Sequence, residues 1–147
     1  MLNKLIVIPL FCLPFSVCSA DFEFSLGAGF QYSGILGSQF ALKQDDSKYF
    51  VSVGAIGYSV GMQTLVSEND HHSAGFSVGK LGAIFGGDHQ YGFLTYNYHP
   101  DGFSHSGWVL GTGVGVMKEE SHTVLFTKEL VNPSAKAAIT LDIGYKF

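Results

Sequence analysis

The stretch AAITLDIGYKF, residues 137–147, alternates between apolar side chains and small or polar ones and ends on an aromatic residue. One parity holds Ala137, Ile139, Leu141, Ile143, Tyr145 and Phe147, and the other holds Ala138, Thr140, Asp142, Gly144 and Lys146. A period of two over this length predicts a β-strand with two chemically different faces. A strand whose outer face contacts water has little reason to end on an aromatic side chain. The fold therefore depends on which face of the strand contacts water and which contacts an apolar environment.

The same alternation recurs along the chain and predicts about eight strands. It is clearest in DFEFSLGAGFQYSG, residues 21–34, and turn residues cluster between the alternating segments. The predicted strands are 22–33, 36–43, 48–56, 58–66, 74–86, 90–98, 107–118 and 136–147. A change of parity predicts a β-bulge near Gly79 and Lys80. The register of 90–98 stays open, because both parities of YGFLTYNY are apolar.

The first 20 residues have the layout of a secretory signal peptide, with one lysine, an apolar run and a small-residue ending. We expect cleavage after Ala20, export through the Sec pathway and a mature chain of residues 21–147. Cys12 and Cys18 are the only cysteines, so both would leave with the leader and no disulfide would hold the mature chain. An uncleaved membrane anchor is the alternative, but prolines interrupt its apolar run.

The composition excludes a nucleic-acid surface and indicates which side of the sheet is wet. The sequence has no arginine and a formal net charge of −4, and only 14% of its residues are charged. The polar parity of the strands is largely Gly and Ser, whereas a strand surface in water usually carries Lys, Glu and Thr. Small residues suit the interior of a narrow eight-stranded barrel, where there is room only for side chains.

These features predict an all-β fold: a closed antiparallel up-and-down transmembrane β-barrel with a polar, Gly-rich lumen and a lipid-facing apolar exterior. Aromatic residues near strand ends would form girdles at the two membrane interfaces. The set is Phe22, Phe24, Tyr32, Tyr49, Tyr58, Trp108, Tyr145 and Phe147. The opposite architecture, a soluble periplasmic barrel that binds an apolar ligand, has the same alternation with the faces exchanged.

The signal peptide, the eight alternating strands and the C-terminal Tyr145-Lys146-Phe147 resemble the small outer-membrane β-barrels of Gram-negative bacteria, of the OmpA transmembrane-domain and OmpX type. The resemblance is architectural and covers residues 21–147. It implies an outer-membrane location and contact with membrane lipid and lipopolysaccharide. It also implies that the barrel-assembly machinery reads Ile143, Tyr145 and Phe147 as a C-terminal signal. It places both termini on the periplasmic side.

Charged residues on the polar parity are predicted to pair inside the lumen. Glu23 and Lys146 fall near the same end of adjacent first and last strands, so we expect an ion pair between them. Asp142 lies deeper and needs a partner, for which Lys80 at the expected bulge is the candidate. An unpaired buried charge is costly, so a structural role is favoured over ion conduction.

Two sets of residues suggest a metal site and a catalytic site, but neither set meets the requirements of that site. His71, His72, His99 and His105 fall in turns at one end and could bind Zn²⁺, but they lack ligand spacing, so no metal or cofactor is expected. Glu120, Ser121 and His122 fall near the outer rim, where a lipid A deacylase or acyltransferase would act. Adjacent residues of a strand point to opposite faces, so Ser121 and His122 do not form a strand-borne catalytic pair.

We therefore expect an integral outer-membrane barrel with a structural, surface-interaction or small-ligand-binding role in the cell envelope. A lipid A-modifying enzyme is the alternative, and the soluble periplasmic barrel is the third possibility. The ligand, the partner and the oligomeric state do not follow from the sequence.

Overall fold

The computed structural model describes residues 21–82, 88–119 and 135–147, which form a closed barrel of eight antiparallel strands in chain order. The strands are β1 Asp21–Gly29, β2 Gly34–Gln44, β3 Ser47–Gly54, β4 Gly57–Leu65, β5 His72–Leu81, β6 His89–Tyr98, β7 Gly107–Glu119 and β8 Ala135–Lys146, with a 3-10 turn at Phe30–Tyr32. Pairing of β1 with β8 closes the sheet. The predicted all-β class, the closed antiparallel up-and-down topology and the strand number are confirmed.

The barrel has two ends that differ in their connections. The termini end holds Asp21, Phe147 and the connections after β2, β4 and β6. The far end holds the turns after β1 and β3, the last residues of β5 and β7 and the first residues of β6 and β8.

The strands are strongly tilted. Successive strand partners from Ser25 lead around the barrel to Lys136, near the far end of β8. The direct partner of Ser25 on β8 is Lys146, ten residues further along and at the termini end. Rows of partners therefore climb toward the far end from β1 to β8. Eight strands with this stagger tilt by about 40–45° against the barrel axis.

The two faces of the sheet have opposite chemistry. Apolar side chains cover the exterior, where Leu141 is 80% and Ile139 is 77% exposed. Polar and small residues make up most of the interior, where Ser52 and Ser59 are fully buried beside a few aromatic residues such as Phe50 and Phe93. The barrel is thus inverted relative to a water-soluble protein, whose apolar side chains lie inside.

Three local predictions are wrong, and one open point is resolved. β1 ends at Gly29 instead of residue 33, because the chain turns inward there, and Tyr32 is a buried lumen residue instead of a girdle aromatic. The bulge expected near Gly79 and Lys80 is absent, since the pairing of β5 runs without a shift to Leu81. Residues 83–86 of the predicted fifth strand lie outside the described residues. β6 turns Tyr91, Phe93, Thr95 and Asn97 inward.

Candidate functional site: the filled lumen

A buried charge cluster lies in the lumen at the termini end. Lys48, Lys146 and Glu23 come from three different strands and are only 1%, 2% and 9% exposed. The Lys48 Nζ lies 2.8 Å from Glu23 Oε1, and the Lys146 Nζ lies 3.9 Å from Glu23 Oε2. One carboxylate therefore serves two buried ammonium groups, which would otherwise be strongly destabilising.

The loop after β6 folds into the lumen and completes this cluster. Phe103 of the loop is fully buried, and the Nζ atoms of Lys48, Lys43 and Lys146 lie 5.1, 5.6 and 6.0 Å from its ring centroid. Such distances fit cation–π attraction, which strengthens when water is excluded. Lys146 also donates hydrogen bonds to the carbonyl oxygens of Gly102, at 3.1 Å, and Phe103, at 2.6 Å. We call residues 99–106 the termini-end plug.

His99 begins this plug and is held in the neutral form. Its Nε2 lies 3.0 Å from Ser73 Oγ, and its ring meets Phe103 edge-on at 5.2 Å. Burial, followed by the charges of Lys48 and Lys146, lowers the pKa of His99 to about 3. His99 therefore adds no charge to the lumen near neutral pH.

A second plug enters from the far end and is held by hydrogen bonds between neutral groups and one carboxylate. The turn after β1 carries Gln31, which is 2% exposed, to the centre of the lumen. Its Nε2 donates to Asn97 Oδ1 at 2.9 Å and to Asp142 Oδ2 at 3.2 Å, and its backbone N–H donates to Asp142 Oδ1 at 3.0 Å. Its Oε1 accepts from Gln63 at 2.8 Å. We call residues 30–33 the far-end plug.

The backbone of the far-end plug is bonded on several sides. The Gln31 carbonyl oxygen accepts hydrogen bonds from Ser52 at 2.6 Å, from Ser59 at 3.1 Å and from Gln39 at 3.4 Å. The turn begins at Gly29, whose φ of 115° favours glycine. Residues of β2, β3, β4 and β6 thus form hydrogen bonds with Gln31, and Asp142 of β8 accepts two more from it.

Space for the plugs comes from glycines on the inner face of the strands. An added Cβ at Gly27 would lie 2.7 Å from the ring of Tyr32, and one at Gly144 would overlap the same side chain. A Cβ at Gly111 would meet Asn97 and Gln31. The Gly-rich parity in the sequence therefore reflects a filled lumen.

One wall of the lumen carries polar atoms without hydrogen-bond partners among the described residues. They are buried atoms of β4, β5, β6 and the residue after β6: Gln63 Oε1, Ser77 Oγ, Thr95 Oγ1, Asn97 Nδ2 and His99 Nδ1. A buried polar group is normally satisfied by protein or by ordered water. This wall is therefore the part of the lumen best suited to hold small polar molecules such as water.

The structure brings together one predicted ion pair and separates the other. Glu23 and Lys146 meet at 3.9 Å, joined by Lys48, which the sequence did not single out. The pairing of Asp142 with Lys80 is wrong. Without a bulge Lys80 keeps its outward parity and lies 2.8 Å from Asp88. Asp142 is satisfied instead by Gln31 and by Thr140, whose hydroxyl donates at 2.9 Å.

The proposed C-terminal signal residues form one external row. Ile143, Tyr145 and Phe147 are 47%, 37% and 61% exposed on the outer face of β8. Tyr145 packs edge-on against Trp108 at 5.4 Å and against Phe147 at 5.1 Å. The row is accessible from outside the barrel, and its role in assembly stays a prediction.

The four candidate metal-binding histidines do not converge. His71 Nδ1 lies 2.7 Å from the carbonyl oxygen of His99, while His72 Nδ1 lies 2.6 Å from the Tyr96 hydroxyl on the outer face. His105 Nδ1 is 4.0 Å from Asp70 Oδ2. Within residues 21–82, 88–119 and 135–147, no group of three or more His, Cys, Asp or Glu residues could hold a metal ion.

The candidate catalytic residues Glu120, Ser121 and His122 lie outside the described residues. The structure shows a different Ser–His contact, between Ser73 and His99. Both residues are fully buried, and His99 Nδ1 has no carboxylate to orient it among the described residues. A nucleophile needs an oriented base and access to substrate, so this pair serves packing.

Comparison with protein-family models, with curated proteins and with solved structures finds no match to this chain. No helix in the described part of the chain is long and apolar enough to cross a membrane.

Proposed function

We propose that this protein is an integral outer-membrane β-barrel of the cell envelope, with a filled lumen that does not conduct ions. Its role is structural or interactive: the strands anchor it in lipid, and the far-end connections are presented to partners. The signal-peptide layout of residues 1–20 and the architectural resemblance to OmpA and OmpX barrels support the location. No metal or cofactor is part of the proposal.

One observation carries the proposal, namely the inverted distribution of side chains. Leu141 on the outer face of β8 is 80% exposed, whereas Lys146 on the inner face of the same strand is 2% exposed. Exposed apolar surface on this scale is stable in lipid and aggregates in water. Closure of the sheet supports the proposal further, because every strand finds partners on both sides without water.

The polar interior also favours this proposal over a soluble carrier of apolar ligands. Such a carrier needs an open apolar cavity, but the described lumen is lined largely by Ser, Gln, Lys and Gly and is occupied by two plugs. The buried aromatic residues Tyr91 and Phe93 pack against Phe30 of the far-end plug and leave no such cavity between them. A lipid A-modifying activity stays the alternative through Glu120, Ser121 and His122.

Fractionation and conductance test the proposal together. We expect the native protein in the outer-membrane fraction and, in detergent extracts, a faster gel mobility before boiling than after it. Reconstitution into planar bilayers should give no discrete conductance steps, because both plugs fill the lumen. Recovery in the soluble periplasmic fraction would refute the membrane location, and regular conductance steps would refute the filled lumen.

A further inference from the structure

The rim of the barrel at the far end has two unequal halves. We call the turns after β1 and β3, together with the first residues of β2, the low rim; it comprises residues 29–36 and 54–57. We call the far ends of β5 to β8 the high rim. A row of strand partners joins the two: Gly27, Gly37, Gly54, Gly57, Leu81, His89 and Glu119. Because rows climb toward the far end from β1 to β8, the low rim lies nearer the termini end than the high rim does.

The difference in height is large compared with a membrane. β3 has 8 residues and β7 has 13. With about 3.3 Å per residue and a tilt of about 43°, β3 spans about 19 Å along the barrel axis and β7 about 31 Å. The apolar band of an outer-membrane barrel is about 25 Å tall. The β3 side is therefore shorter than the band, and the β7 side is longer.

The side chains of the two rims match this difference. The sequence has no Asp, Glu, Lys or His in residues 24–42 or in residues 49–67. On the low rim Ile35 is 76% and Leu36 is 64% exposed. The high rim instead carries ionisable residues: Lys80, Asp88, His89, Lys118 and Lys136. The low rim is thus an extension of the apolar exterior.

The backbone of the low rim is paired as lipid contact requires. The Ser33 N–H donates to the Phe30 carbonyl oxygen at 3.1 Å, and the Ala55 N–H donates to that of Leu36 at 3.0 Å. The carbonyl oxygen of Ile56 accepts from the Gly82 N–H at 2.6 Å. The Phe30 oxygen also accepts from the Tyr91 hydroxyl at 2.6 Å. These backbone groups are therefore paired within the protein while Ile35 and Leu36 stay exposed, an arrangement that suits hydrocarbon better than water.

We infer that the acyl chains of membrane lipid cover the low rim. The lipid contacts Ile35 and Leu36, and the bilayer is locally thinner on the β1 to β4 side than on the β5 to β8 side. Such an adjustment is the ordinary response of a bilayer to a short apolar span. The inference rests on the proposed membrane location and adds to it a lipid site at the mouth of the lumen.

Single-cysteine fluorescence tests this inference with internal controls. Cys12 and Cys18 are replaced by Ser, and one cysteine is introduced at a time by Ile35→Cys, Leu141→Cys or Lys136→Cys. Each variant is labelled with a bimane maleimide and reconstituted in phosphatidylcholine vesicles. Quenching by dibrominated phosphatidylcholine reports lipid contact, and quenching by aqueous iodide reports contact with water. All three side chains are exposed, so folding should be preserved.

We expect the Ile35→Cys label to behave as the Leu141→Cys label does, with strong quenching by brominated lipid. Its iodide quenching should be at least about threefold weaker than that of Lys136→Cys, because hydrocarbon excludes the ion. Iodide quenching at Ile35 as strong as at Lys136 would overturn the inference. Protection at Ile35 from both quenchers would also overturn it, since protein would then cover the rim. Iodide quenching at Leu141 would instead refute the membrane location itself.

Discussion

The two plugs fill one lumen by different chemistry. The termini-end plug places one aromatic ring among three lysines, with a single carboxylate, Glu23, close to two of them. The far-end plug places one amide, Gln31, among hydroxyl, amide and carboxylate partners from several strands. Concentrated charge makes the first plug depend on one residue. Distributed hydrogen bonds make the second tolerant of losing any single partner.

The largest loss of stability is expected from removing the Glu23 carboxylate. Glu23→Gln leaves Lys48 and Lys146 buried without a counter-ion, and breaking a buried pair typically costs about 3–5 kcal/mol. We expect a loss of about 4 kcal/mol in the free energy of unfolding. Guanidinium titration in detergent micelles, followed by the emission of Trp108, measures it. Glu68→Gln removes an exposed carboxylate at the same end and should change stability by less than about 0.5 kcal/mol. Equal effects of the two variants would contradict the role of the cluster.

The second-largest loss of stability is expected from removing the aromatic ring of Phe103. Phe103→Ala deletes a fully buried aromatic side chain and its contacts with the three ammonium groups. We expect a loss of about 3 kcal/mol, at the lower end for buried Phe→Ala, because the loop can partly collapse. Phe103→Leu retains most of the volume and separates the cation–π contribution from packing. A loss below about 1 kcal/mol for Phe103→Ala would show that the ring does not hold the loop in the lumen.

A smaller effect is expected at the far-end plug. Gln31→Ala removes the side-chain bonds to Asn97, Asp142 and Gln63 but leaves the backbone bonds in place. The vacated space can admit water to these groups, so we expect a loss of about 2 kcal/mol in the same titration. Gln44→Ala, at an exposed position of β2, is the matched control. A loss as large as that of Glu23→Gln would mean that the far-end plug is no more tolerant than the other.

The smallest effect is a dependence on pH at the termini-end plug. The pKa of His99 is about 3 in the folded protein and about 6.5 in the unfolded chain. The unfolded chain therefore binds more protons between these values, and stability falls as the pH drops below about 6.5. At pH 5.5 His99 should account for about 1.4 kcal/mol of lost stability, and above pH 7.5 for almost none. His99→Gln should flatten this part of the profile, and an unchanged profile would contradict the buried neutral state.

The alternation of the sequence was sufficient to predict the eight strands and the chemistry of their two faces. Both follow from local pattern, since each strand repeats its own period. The plugs could not be predicted in the same way. Gln31 looks like one more strand residue, and only the glycines at 27 and 29 beside it indicate that the chain can leave the sheet. Phe103 lies in a turn whose other residues are polar, Gly or Pro, and nothing local shows that it folds inward.

The charged residues of the lumen were likewise predicted only in part. Glu23 and Lys146 were predicted because adjacent first and last strands place them at one end. Lys48 was missed although it follows the same inward parity as Phe50 and Ser52. The predicted pairing of Lys80 with Asp142 was wrong because the change of apolar parity in this segment was interpreted as a β-bulge. The pairing of β5 stays regular through Lys80, so its side chain points outward.

The most direct test of the lipid-facing exterior uses the single tryptophan of the native protein. Trp108 lies on the outer face of β7 and is 53% exposed. In vesicles containing phosphatidylcholine brominated near the head group, we predict blue-shifted emission that the bromine quenches strongly and aqueous iodide quenches weakly. Emission typical of a water-exposed indole, quenched by iodide and unaffected by brominated lipid, would contradict the account.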